Sequence, residues 1–194
     1  MAFQRGRSKS SRSGSRRPIP GDSETESLDQ PRLLSPEKQE SRARNVLLHQ
    51  LARSAKSTSQ LRKILEQREI STEIAEKVLE RFTEVGLIDD LQFAETLVSA
   101  RRKFRGRSAT VIRRELLQKG ISKEICEQVL SSVTQEDELA LACDIAGRRI
   151  LQMTKLEPEV RRRRLAGFLA RKGFSSNIVS VALKQAEQGL AHKL

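Results

Sequence analysis

Apolar residues return every three to four positions along most of the chain beyond residue 39. Leu61, Ile64 and Leu65 are spaced i, i+3, i+4, and so are Leu165, Phe168 and Leu169, the spacing that lays one apolar stripe along a helix. Each stripe stops at a polar pair: Arg68-Glu69, Lys119-Gly120 or Lys172-Gly173. A glycine just past a helix, with a base before it, is a stop signal. Ser71, Ser122 and Ser175 follow as caps of the next helices, with Glu73 and Glu124 in the first turn of two of them. Ile70, Ile121 and Phe174 stand one residue before those caps, placed to staple onto Ala75, Cys126 and Val179.

The pattern is written three times. ISTEIAEKVL (70–79) and ISKEICEQVL (121–130) agree at seven of ten places. Upstream, Leu61, Leu65 and Ile70 align with Ile112, Leu116 and Ile121, then with Leu165, Leu169 and Phe174, at spacings of 51 and 53 residues. Downstream, Phe82 aligns with Val133 and Ala186. A further amphipathic stretch precedes each pair, over 37–54, 90–104 and 136–152. The first opens at Ser35-Pro36-Glu37, with Ser as cap and Pro at the first helical position. The second opens at Leu91, with Asp89 and Gln92 forming a capping box.

These elements predict an all-α protein of nine helices. Three tandem three-helix repeats form an elongated array, over 40–88, 89–134 and 135–190, in which each unit packs mainly on its neighbours. Residues 1–39 are expected to be a disordered basic tail. Residues 1–21 hold six bases and no acid, and 21–30 hold four acids and no base. Gly6, Gly14, Pro18 and Pro20 break any amphipathic helix there, which argues against a transit peptide and for a weakly polyanion-seeking segment.

Composition agrees with helices. The chain has no Trp, no Tyr and six Phe, so its interior must be filled by Leu, Ile, Val and Ala. A net charge of +12 points to an acidic or polyanionic partner. Two cysteines without a secretory signal fit a reducing cytoplasm; Cys126 occupies a small apolar slot of the repeat, and Cys143 reads the same way. No stretch of eighteen apolar residues exists, so no membrane span is expected.

No catalytic constellation assembles. His49 and His192 lack metal-ligand neighbours at a suitable spacing, Gly106 is followed by RSATV rather than a phosphate-loop lysine, and Asp89-Asp90 reads as a helix start. No enzyme activity, cofactor or metal is expected. The bases are unevenly spread, however. Residues 40–100 hold nine bases and ten acids, 101–119 hold eight bases and one acid, and 161–172 hold six bases and no acid. Packing does not require such clustering, and like charges repel. The candidate residues of a functional basic surface, suited to phosphates or an acidic partner, are therefore Arg101, Arg102, Lys103, Arg105, Arg107, Arg113, Arg114, Arg161, Arg162, Arg163, Arg164 and Arg171. A sequence-reading helix-turn-helix is disfavoured: Leu65, Leu116 and Leu169 stand where tightly crossing helices want a small residue, and the would-be reading helices carry Glu73, Glu76, Glu80, Glu124 and Glu127.

The stretch GLIDDLQFAETLVSARRKFRGRSATVIRRELLQKGI (86–121) resembles the RecX family of bacterial recombination regulators. The resemblance rests on Gly86, Ile88-Asp89-Asp90, Phe93-Ala94, Arg101, Gly106, Ile112, Leu116 and Lys119-Gly120-Ile121. Leu51, Arg53, Ser57 and Leu61 extend it upstream, with departures at Gln60, where Glu is usual, and at Glu69, where Gly is usual. It spans residues 43–187 and is strongest in the middle unit. It implies three tandem three-helix units in which Gly86, Asp89, Asp90, Phe93, Ala94, Gly106 and Gly120 are structural. It also implies a protein that binds RecA and the RecA–DNA filament and restrains recombination and the SOS response; a monomer without a membrane partner is expected. The alternative is a helical protein that binds single- or double-stranded DNA non-specifically through its basic helices.

Overall fold

The computed structural model describes residues 35–192; the expected tail over 1–39 lies almost wholly outside them. The helices are α1 (Pro36–Arg53), α2 (Thr58–Glu66), α3 (Thr72–Glu84), α4 (Asp90–Arg105), α5 (Ala109–Gln118), α6 (Lys123–Leu130), α7 (Gln135–Ile150), α8 (Pro158–Lys172) and α9 (Ser176–Ala191). A 3-10 turn, Leu151–Met153, extends α7. No strand occurs among the described residues.

The helices pack in threes: α1 on α2 and α3, α4 on α5 and α6, α7 on α8 and α9. Each trio encloses its own apolar core. Leu61 and Leu65, Ile112 and Leu116, and Leu165 and Leu169 occupy matching slots, all with no exposed surface. The residues expected to staple share cores: Ile70 with Ala75 and Ile121 with Cys126 are buried in one core each, and Phe174 shares the third with a half-buried Val179.

The capping pattern holds in part. Ser122 and Ser175 accept the Ile125 and Ile178 amides, but Ser35 and Ser71 make no side-chain cap. At α1 the first-turn proline already removes one amide that would need a partner. At α3 the Gln39 side chain accepts the Ser71 amide itself at 3.2 Å, which ties the start of α3 to α1. Helix α4 starts at Asp90, one residue earlier than expected, and only the Asp89 half of the box forms, with Asp89 accepting the Gln92 amide at 2.9 Å.

One turn closes all three second helices. The amides of Ile70, Ile121 and Phe174 reach back to the carbonyls of Leu65, Leu116 and Leu169, which puts the preceding residue in the left-handed region. Gly120 and Gly173 sit there at φ 78° and 94°. Glu69 adopts the same conformation at φ 59°, so the departure from glycine leaves the turn type unchanged.

These turns also join the trios. The Ser57 hydroxyl at the start of α2 donates to the Lys119 carbonyl at the end of α5. At the next junction the Ser108 amide, at the start of α5, donates to the Lys172 carbonyl at the end of α8 at 3.0 Å. Acidic side chains reinforce both: Asp90 accepts the Thr58 amide at 2.8 Å and Glu138 the Ala109 amide at 3.2 Å. The second helices thus meet end to end, each positive end on the next helix's negative end. Space is tight, because a side-chain carbon on Gly120 would lie 2.2 Å from the Ser59 hydroxyl, and one on Gly173 would lie 2.3 Å from Val111.

Candidate functional site

The basic segment starts on the last turns of α4, crosses a short loop and continues on α5. Its twelve candidate residues divide by what they touch. Arg101 makes a two-pronged pair with Glu115 of α5, its Nε donating to Oε2 at 2.8 Å and its Nη2 to Oε1 at 2.5 Å. Both side chains are about three-quarters covered. Their mutual hydrogen bonds hold the Glu115 carboxyl below its ordinary range, with burial opposing. Arg102 pairs with Glu138 of α7 across the second junction, and these side chains are only 20% and 13% exposed. Glu138 therefore serves the Arg102 guanidinium and the Ala109 amide together.

Arg107 is also committed to the frame, donating to the Arg171 carbonyl at 2.9 Å. Arg161 donates to the Leu156 carbonyl at 3.4 Å, and Arg162 lies 3.7 Å from Glu187. The remaining seven, Lys103, Arg105, Arg113, Arg114, Arg163, Arg164 and Arg171, are exposed. No carboxylate among the described residues lies within ion-pair distance of them. Lys103 stands 5.6 Å from the Phe104 ring centre.

Several of these bases share walls of two open clefts. One, of about 550 Å³, lies at the first junction and includes Arg105, Arg107, Arg114 and Lys119. The other, of about 820 Å³, lies in the third unit between α8 and the 3-10 turn with its following loop. It gathers Arg163, Arg164 and Arg171 with Arg149 and Lys155, two bases that the charge runs did not single out. Arg149 and Lys172 both approach the Phe168 ring, at 5.1 and 5.3 Å. Lys172 also donates to the Arg105 carbonyl; burial, aided by the Arg107 charge, lowers its pKa. Phe104 is the other feature that charge counting passed over: it is 78% exposed amid Lys103 and Arg105.

The residues that carry the resemblance take up local positions at helix ends, at a junction and in the core. Gly86 and Gly106 close α3 and α4 in left-handed conformations, Asp89 caps α4, Asp90 serves the first junction, Ala94 is fully buried and Phe93 packs on the second core. Asp89-Asp90 is thus bound up in helix and junction hydrogen bonds. Burial raises the thiol pKa of Cys126 and Cys143, which suppresses the reactive thiolate. Among the described residues no group of His, Cys, Asp or Glu has metal-binding arrangement, and no helix is long and apolar enough to cross a membrane. What the surface offers chemically is attraction for anions.

Three family models match in series: "RecX, first three-helix domain" over residues 43–82, "RecX, second three-helix domain" over 89–130 and "RecX, third three-helix domain" over 136–183. A protein named "Regulatory protein RecX" from Streptomyces coelicolor is 38% identical over 144 residues, covering 74% of this chain and 77% of the relative. Its namesake from Thermobifida fusca is 37% identical over 144 residues, with 74% and 78% covered. The crystal structure of RecX from Lactobacillus salivarius superposes with a TM-score of 0.69 at 19% identity, covering 78% of this chain and 99% of that one. At that identity the likeness shows the fold alone. The chain belongs to the RecX family, a family of regulatory proteins.

Proposed function

We propose that this chain is a non-catalytic, monomeric cytoplasmic regulator that binds RecA and the RecA–DNA filament and inhibits ATP hydrolysis, strand exchange and SOS induction. Family membership supplies the regulatory class, and the resemblance in residues 86–121 supplies the partner. The observation that carries the contact assignment is the division among the bases. Arg101 braces the middle trio, and Arg102 and Arg107 fasten it to the third, whereas Lys103, Arg105, Arg113 and Arg114 stand exposed with no carboxylate at ion-pair distance among the described residues. A frame locked by some bases can present the others at fixed spacing to an acidic protein groove or to phosphates, which cuts the ordering cost of binding. The middle unit is the main contact and the third unit is auxiliary. The test is RecA ATP hydrolysis on single-stranded DNA with and without this chain; inhibition at stoichiometric amounts supports the reading, and unchanged hydrolysis contradicts it.

A second reading is direct, non-specific DNA binding through the same free bases. It predicts affinity for naked DNA that falls steeply with salt in the absence of RecA.

A further inference from the structure

The cleft of the third unit has a feature that a solvated basic face does not need. Arg163, Gly167 and Arg171 are spaced i, i+4, i+8 and so lie on one face of α8, with the arginines two turns, about 12 Å, apart along the axis. Glycine inside a helix costs about 1 kcal/mol relative to alanine, and no crowding demands it here. A side-chain carbon at Gly167 would meet nothing closer than the Arg171 Nη1, at 3.3 Å. The missing side chain instead gives the Arg171 guanidinium room to fold back over the cleft floor.

Opposite this floor, Arg149 and Lys155 approach from the other wall, and no Asp or Glu lines the cleft. Arg149 is steadied by the Phe168 ring and by the Gln152 side chain. Five cations from its two walls thus line this one concavity. Such a lining suits a compact anion of several charges, whereas an extended nucleic-acid backbone is matched by a groove that follows it. Guanidinium groups favour phosphate oxygens because their planar donors engage two at once.

We infer that the cleft over Gly167 binds a short chain of closely spaced phosphates, either inorganic polyphosphate or the phosphate tail of a nucleotide. Arg163 and Arg171 clasp it from α8, Arg164 adds charge on the same wall, and Arg149 and Lys155 close the other side. The site shares Arg163, Arg164 and Arg171 with the auxiliary filament contact, so an occupied cleft competes with that contact.

The test uses the full chain alone, without RecA, so its outcome is independent of the filament reading. The chain has no Trp or Tyr, and binding is followed by calorimetry with inorganic tripolyphosphate near 0.15 M salt, where diffuse attraction is screened beyond about 8 Å. Saturable binding at one site per chain is expected. Gly167→Leu keeps every charge and favours the helix, yet fills the floor, and should weaken binding about tenfold or more. Circular dichroism confirms that this variant folds. As an independent arm, Arg163→Gln with Arg171→Gln should lose at least as much affinity, while Arg53→Gln with Lys63→Gln removes equal charge from the exposed surface of the first unit and should leave it nearly unchanged. ATP binding more tightly than tripolyphosphate identifies a nucleotide as the source, and equal binding identifies inorganic polyphosphate; either supports the site. Unaltered affinity in Gly167→Leu, equal losses from the two double variants, or tighter binding of a short single-stranded oligonucleotide would overturn it.

Discussion

The Ser57 hydroxyl donates to the carbonyl of Lys119, sixty-two residues downstream, at 2.5 Å. It also accepts the Gln60 amide at 3.2 Å, so one fully buried side chain caps a helix and fastens two trios. Its counterpart Ser108 is equally buried but fastens its junction with the backbone amide. The difference follows from the residue three places on. Gln60 takes the Ser57 amide into a capping box, whereas Val111 has no acceptor for the Ser108 amide and leaves it for Lys172.

Ser57→Ala should therefore cost more than Ser108→Ala. The first loses a cap and strands a carbonyl, about 1–3 kcal/mol. The second loses only a cap, about 1 kcal/mol. Urea unfolding of both variants measures the order, and the reverse order would contradict the junction assignment.

Glu69 and Gly120 hold the same turn with opposite consequences. Glu69→Gly relieves a left-handed non-glycine residue and should stabilise the fold by about 0.5–1 kcal/mol. Gly120→Ala adds that strain and drives a carbon into Ser59, so it should destabilise by more than the first gains. Thermal melting of the pair reads both signs.

Leu116 has no exposed surface, and Leu116→Ala should cost about 2–5 kcal/mol. A cost near zero in denaturant unfolding would mean the repeat register is misassigned.

Much of this was legible in the residues. The three apolar slots, the stop before Ile70, Ile121 and Phe174, and the staples follow from helical period and cap chemistry, which are local. The junctions were not, because Ser57 and Lys119 are neighbours only once the trios fold, and a serine gives no sign of where its hydroxyl points. For the same reason charge counting placed Arg101 and Arg102 among the contact residues although Glu115 and Glu138 engage them. The Phe168-centred cleft escaped because Arg149 and Lys155 lie outside the dense basic runs.

Acid should weaken the α4–α5 contact. Because Arg101 lowers the Glu115 carboxyl from its ordinary value of 4.5, the stabilisation is fully present above about that pH. It is lost as pH falls through the lowered folded value. Glu115→Gln should flatten the fall in melting temperature below pH 4.5; a variant with the parent's full acid dependence would mean other carboxylates govern it.

On the function proposed above, the free bases of the middle unit, and not those locked in its frame, meet the filament. Arg105→Gln, Arg113→Gln and Arg114→Gln are combined in one variant, its helicity is checked, and inhibition of RecA ATP hydrolysis on single-stranded DNA is measured across salt concentrations. Weaker inhibition than the parent is expected at low salt, with the gap narrowing as salt screens exposed charges. Inhibition equal to the parent's at every salt concentration would contradict that contact.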